Sequence, residues 1–350
     1  MMTGNAKLNA DFAGRILVKL ETGAGRVTSV EIDSTRPQGV TQVFAGRAPE
    51  DVVGMLGLIF SLCSTAQTVA GLTAVEAARG QTVPDGQAAA RDILRQAEML
   101  TQTAMRVLMD WPRLLELPPA AAAVRAALGA QSGLETALFG GPGWKVPGGI
   151  EIKPEMDAVR ACVTQAAAEI DRALNQDGLA EKLLAALDER GLNGFGALAD
   201  GTAPETGALT RQWDNAEVAQ ARKTYGAGLR ARLWARLADV KDLPAAMAAN
   251  VDRLCPCTPV FESPRDDGQG AATVETARGA LTHRVRLKGG VIDAYEIDAP
   301  TDVNFLNDGV VTQGLMGANA LDSQTLRAAA ELHVLAVDPC VSCALEIVDA

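Results

Sequence analysis

Asp338-Pro-Cys340-Val-Ser-Cys343-Ala-Leu-Glu346 stands four residues before the last residue, Ala350. Cys-x-x-Cys puts two thiolates on one side of a turn, which suits chelation of one soft metal ion. Taken alone, the pair has three readings: a redox dithiol, half of a zinc site, or two unrelated cysteines. A thioredoxin-like pair precedes a long helix, and the few residues that follow leave no room for one. A zinc site needs two more ligands, and Cys255-Pro-Cys257 could supply them. One intervening residue makes that second pair an awkward chelate.

Composition bounds what the thiols can serve. The 350 residues are 48% hydrophobic and 21% charged, a globular balance with ample length for a sizeable core. A net charge of −11 with no basic tract excludes nucleic acid as a main partner. Aromatics at 4% offer no base-stacking platform. There are six Cys and only two His, His283 and His333, so a transition-metal site must rest on sulfur. The first ten residues carry no basic region followed by an apolar stretch. The most apolar segment, 52–63, is too short to span a bilayer. The expectation is a cytoplasmic protein without membrane insertion, its thiols reduced.

The fold class expected is α+β, mainly α, in a single domain over 1–350. Ile16, Val18 and Leu20 alternate, Thr22-Gly-Ala-Gly25 turns, and Val27 to Ile32 returns, so 14–35 reads as a β-hairpin. Pro49-Glu-Asp51 starts a helix with acids in its first turn, opening a helical body over 49–250. That helix bends after Cys63 and continues over 66–79. Ile93, Ala97, Leu100, Ala104, Val107 and Trp111 repeat by three or four, predicting one long helix over 86–111. Shorter helices are expected at 119–128, 154–175, 179–190 and 215–240. Within the second of these, Cys162 lies beside an apolar stripe and reads as core. The segment 272–350 reads as β and loop, with strands at 281–287 and 291–297 around Lys288-Gly-Gly290 and a helix at 322–334. The two sequence ends are expected to meet.

Five stretches, in order, resemble the large subunit of nickel–iron hydrogenases. Gly46-Arg47-Ala-Pro49 resembles that family's Gly-Arg-x-Pro. Ile59-Phe60-Ser-Leu-Cys63-Ser-Thr-Ala-Gln67 fits the frame Arg-Ile-Cys-Gly-x-Cys-Ser-Thr-Ala-His. Glu275-Thr-Ala-Arg278-Gly-Ala-Leu-Thr-His283 resembles Glu-Ala-Pro-Arg-Gly-Ala-Leu-Gly-His. Pro300-Thr-Asp-Val-Asn304 resembles Pro-Thr-Thr-Trp-Asn, and Asp338 to Ala344 resembles the closing Asp-Pro-Cys-x-x-Cys-Ala. The middle, about 130–260, matches little.

In that family four thiolates bind nickel, and the second Cys of each pair bridges to an iron carrying cyanide and carbonyl. Carried over, the resemblance implies that Cys63 and Cys343 are iron-bridging positions and Cys340 a nickel position. Phe60 replaces the remaining thiolate and cannot ligate. Arg278 falls where an Arg lies close to the metal centre and can donate to cyanide nitrogens. Thr65 and Asp338 stand behind the thiols in the same motifs. Thr41 falls at a proton-relay carboxylate and cannot serve as one. Gln67 and Glu346 fall at two family histidines, and the chain carries no extension beyond the motif like the one cleaved in that family.

These departures resemble the hydrogenase expression/formation family HupK, accessory proteins related to the large subunit. The resemblance implies a non-catalytic scaffold or chaperone in building the nickel–iron cofactor. It would hold nickel or the iron–cyanide–carbonyl fragment transiently, on Cys63 and Cys343, and partner the immature hydrogenase large subunit and a small maturation chaperone. Two alternatives stay open: a degenerate hydrogenase-like redox enzyme, and a structural zinc- or nickel-binding interaction protein.

Overall fold

A computed structural model describes residues 14–37, 39–198, 205–259, 263–320 and 322–349. Residues 1–10, in which an export signal would fall, lie outside the described residues.

The hairpin forms where the alternation predicts it. Strands β1 (Arg15–Gly23) and β2 (Arg26–Ser34) pair antiparallel around Ala24-Gly25. Ile16, Val18 and Leu20 are fully buried, so the period-two pattern faces a core.

Helix α1 (Pro49–Ile59) starts with Pro at its first position and Glu50 and Asp51 in its first turn. It stops at Phe60. A single 3₁₀ turn, Ser61–Cys63, then leads into α2 (Ser64–Arg79). The two helices meet at 98°, and this elbow carries Phe60 and Cys63. Among the described residues no single helix is long and apolar enough to cross a membrane. The α1–α2 pair qualifies by length and composition only.

The long helix α3 (Asp85–Met105) runs on through a π-helical turn, Arg106–Asp110, to Leu114. Helix α4 (Ala121–Phe139) packs on it, α5 (Met156–Asp171) packs on α4, and α6 (Leu179–Glu189) joins the same core. The Ala-rich helix is longer than expected, because its apolar face continues through Leu134 and Leu138. The helix expected over 215–240 is two. Helix α7 (Ala216–Tyr225) ends at Gly226, whose φ is +74°, and α8 (Leu229–Val251) restarts after it. Tyr225, at the end of α7, is exposed, whereas Leu229 and Leu233 on α8 are buried.

The expected hairpin near the C-terminal end is a three-stranded sheet: β3 (Gly268–Thr276), β4 (Gly279–Lys288) and β5 (Val291–Asp298) in that order. The strand β3 was not among those expected, since its small residues do not alternate. Those residues let it lie on α2: a Cβ at Gly270 would overlap the backbone of Ala74 and Ala78. The segment 272–350 also holds three helices, α9 (Pro300–Asn304), α10 (Val310–Leu315) and α11 (Ser323–Val337). Helix α11 is capped by Asp322, which accepts from the Gln324 and Thr325 amides.

From within the Cys-x-x-Cys the chain forms a sixth strand, β6 (Ser342–Asp349), parallel to β1 with Ile16 opposite Cys343. The sequence ends meet through this pairing. β1, β2, α10 and α11 enclose a second core of Val18, Leu20, Val311 and Leu326, distinct from the core of the helical body. The class is α+β, mainly α.

Candidate functional site

The α1–α2 elbow, the loop after β2, the turn before β4, α9 and the segment after α11 share one cavity of about 490 Å³. Phe60, Cys63, Gln67, Arg278, Thr301 and Cys340 are among its walls. Thr41 lines it as well.

Cys63 ends the elbow turn, one residue before α2. The first amides of α2 have no intrahelical acceptor. Glu98, buried on α3, accepts from Thr65 N at 2.8 Å and Ala66 N at 3.0 Å. Thr65 thus reaches Glu98 through its backbone amide. Burial pushes the Glu98 carboxyl up despite these bonds. The Cys63 thiol is pushed up to about 12, first by burial and then by the charge of Glu98. The charge of Arg278 and a Gln67 Nε2 donor 3.8 Å from Sγ act the other way. Cys63 is a neutral thiol near pH 7, and a soft metal must displace its proton to bind.

Asp338 sits at the end of α11 in the left-handed region, φ +64°. Pro339 follows it and prevents the helix from continuing. The carboxylate is buried among three arginines. Arg106 Nε donates to Oδ1 at 2.8 Å from the π turn. Arg278 Nε lies 3.6 Å from Oδ1, and Arg236 Nη2 lies 3.8 Å from Oδ2. Burial alone would raise the Asp338 carboxyl, but Arg278, Arg106 and Arg236 hold it below the usual carboxylate range. Arg278 is further fixed by donating Nη1 to Gln102 Oε1 at 2.8 Å, while Gln102 Nε2 donates to the Leu62 carbonyl beside Cys63.

The fold thus brings Cys63, Cys340 and Arg278 to one cavity, with Asp338 behind Arg278. The Cys340 amide donates to Thr301 Oγ1 at 3.1 Å. Cys343 is not among the side chains lining the cavity. It lies half-buried on β6, packed on the second core, where burial pushes its thiol up to about 11. Its cross-strand neighbour Ile16 does line the cavity. Cys255 and Cys257 are elsewhere: Cys257 bridges to Ile152 through its backbone, and Cys255 abuts Gly86. Cys162 packs half-buried against the main core, as expected. Among the described residues no group of three or more His, Cys, Asp or Glu is arranged to hold a metal ion.

Sequence reading missed Glu98, Gln102, Arg106 and Arg236. All four sit within helical segments, where polar residues pass for a solvated face. Glu98 and Arg236 are in fact buried.

No protein-family model matches the chain. A protein of Bradyrhizobium diazoefficiens named hydrogenase expression/formation protein HupK is 30% identical, across 98% of this chain and 99% of its own length. The chain belongs to the HupK family of hydrogenase expression/formation proteins. A HupK of Azotobacter vinelandii is likewise 30% identical, across 97% of this chain and 100% of its own. Among solved structures, the Ni-Fe-Se hydrogenase of Desulfovibrio vulgaris Hildenborough matches with a TM-score of 0.73, covering 91% of this chain and 94% of that one. At 17% identity that likeness is one of fold. This HupK-family chain therefore carries the hydrogenase large-subunit fold that the sequence motifs implied.

Proposed function

We propose that this HupK-family chain is a non-catalytic accessory protein in assembly of the nickel–iron hydrogenase cofactor. Its cargo is the iron–cyanide–carbonyl fragment, held transiently before transfer to the immature hydrogenase large subunit. A small maturation chaperone delivers that cargo, in the cytoplasm. The observation that carries the reading is the shared cavity of Cys63 and Cys340 with Arg278 on its wall.

The donor set fits this cargo. Two thiols are soft ligands for iron. Arg278 lines the cavity, and its guanidinium is a donor suited to a cyanide nitrogen. Cys343, in the strand beside Ile16, is the third thiol of the family frame. Its absence from the cavity wall favours Cys63 with Cys340 as the holding pair.

Each residue contributes a definable part. Cys63 loses its proton to solvent as it binds. Asp338 holds Arg278 in place by charge. Phe60 occupies the wall where the family frame has a further thiolate, so nickel coordination stays incomplete. Fewer ligands mean weaker holding, which suits a protein that must release what it carries.

The test is infrared spectroscopy of protein made together with the iron-assembly machinery. Cyanide and carbonyl bands are expected on the wild type and lost in Cys63→Ala and Cys340→Ala. A wild type without such bands overturns the reading.

A further inference from the structure

Gln67 is one of a chain of buried groups running inward from Cys63. Its Nε2 is 3.8 Å from Cys63 Sγ, and its Oε1 is 2.9 Å from His283 Nε2. His283 Nδ1 is 2.7 Å from the Tyr295 hydroxyl. Gln67, His283 and Tyr295 are at most 5% exposed, so solvent does not complete their bonds. The fold makes room for the chain. Gly71 lies one turn after Gln67 on α2, and a Cβ there would come 2.9 Å from Tyr295 Oη.

An amide can turn either end toward a neighbour, and an imidazole can carry its proton on either nitrogen. Here burial decides between them. Among the described residues the Tyr295 hydroxyl makes one hydrogen bond, to His283 Nδ1. If Nδ1 carried the proton, the buried Tyr295 O–H would donate to nothing, at a cost of about 1–3 kcal/mol. The hydroxyl therefore donates to Nδ1. The imidazole proton sits on Nε2 and goes to Gln67 Oε1. The amide NH₂ is left to face the sulfur.

We infer that Tyr295 and His283 are positioning residues that lock the Gln67 amide with its donor end on Cys63. A donor-only partner suits a thiolate bound to a metal and gives nothing to a thiol proton. The lock thus biases Cys63 toward holding cargo. The functional part of this inference rests on the proposed cargo role; the hydrogen-bond assignment does not.

Two measurements test it separately. The chain has two histidines, His283 and His333, so ¹⁵N-imidazole spectra contain two residues to assign. His283 is expected in the Nε2–H form in the wild type, and Tyr295→Phe is expected to mix its tautomers. An Nδ1–H form in the wild type, or unchanged His283 signals in Tyr295→Phe, overturns the lock. The second measurement titrates the wild type with cobalt(II) alone and follows thiolate-to-cobalt absorption. Gln67→Leu is expected to weaken cobalt binding roughly tenfold, the scale of one hydrogen bond to a charged group. Tyr295→Phe should weaken it by less, since the donor remains but is free to turn. Equal affinity in Gln67→Leu overturns the positioning role. A wild type that takes no cobalt overturns the thiol-site reading instead, and the tautomer result still decides the lock.

Discussion

At the scale of single residues, Asp338 shows how much one side chain decides. Three guanidiniums surround it, and those of Arg236 and Arg278 are almost wholly buried. Removing one partner of a buried charge cluster leaves the others uncompensated. Asp338→Asn is expected to cost about 3–5 kcal/mol, read as a lower urea midpoint. Phe60 is the converse case. It lines the cavity beside Cys63, so Phe60→Cys should add a soft ligand there. Nickel(II) binding measured by calorimetry is expected to tighten at least about tenfold, roughly 1.4 kcal/mol. Affinity like that of the wild type would argue against a carried-over nickel position.

The two histidines contribute to the acid response. Burial lowers both His283 and His333 to about 3, against 6.5 when unfolded. The unfolded chain therefore binds more protons between those values. Stability is full above about pH 6.5 and is lost as pH falls toward 3. The loss is roughly 1 kcal/mol per histidine for each pH unit. Urea unfolding at pH 7 and pH 5 checks this, with a clearly lower midpoint expected at pH 5.

At the scale of elements, close approaches mattered more than propensity. β3 has little strand character in sequence, yet it pairs with β4 along its whole length. Its glycines let its backbone press on α2, a contact invisible to periodicity. Gly270→Val should force β3 from α2 and cost about 1–3 kcal/mol or more, seen as a fall in Tm. Gly129 on α4 is the control, because nothing lies within 4 Å of a Cβ there. Gly129→Ala should stabilise by roughly 0.4–1 kcal/mol. The hairpin, α1, α3 and α11 were legible because each has a strong period or a start signal. The break between α7 and α8 was not, because the apolar spacing carries across Gly226-Ala-Gly228.

At the scale of the whole molecule, the cavity exists because the ends of the chain return to each other. β6 pairs with β1 from Arg15↔Ser342 to Thr22↔Asp349. Removing 342–349 would expose one edge of β1 and part of the second core. Amide exchange of β1 is expected to quicken and Tm to fall, while exchange in α3 changes little. Loss of protection throughout would mean that the two cores unfold as one.

The sequence by itself determined the class, the main helices and the family, because these rest on local spacing and ordered motifs; it carried the first helix through Cys63, whereas the helix stops at Phe60. It also named Cys63, Cys340, Arg278 and Asp338. Only the tertiary structure decided which of them share a cavity, and that Cys343 lies on a strand beside its wall. It alone revealed the Glu98 cap, the arginines around Asp338 and the chain from Cys63 to Tyr295. Those contacts join residues far apart in sequence, and burial gives them their charge states and hydrogen-bond directions. Neither property is written in the spacing of side chains along one element.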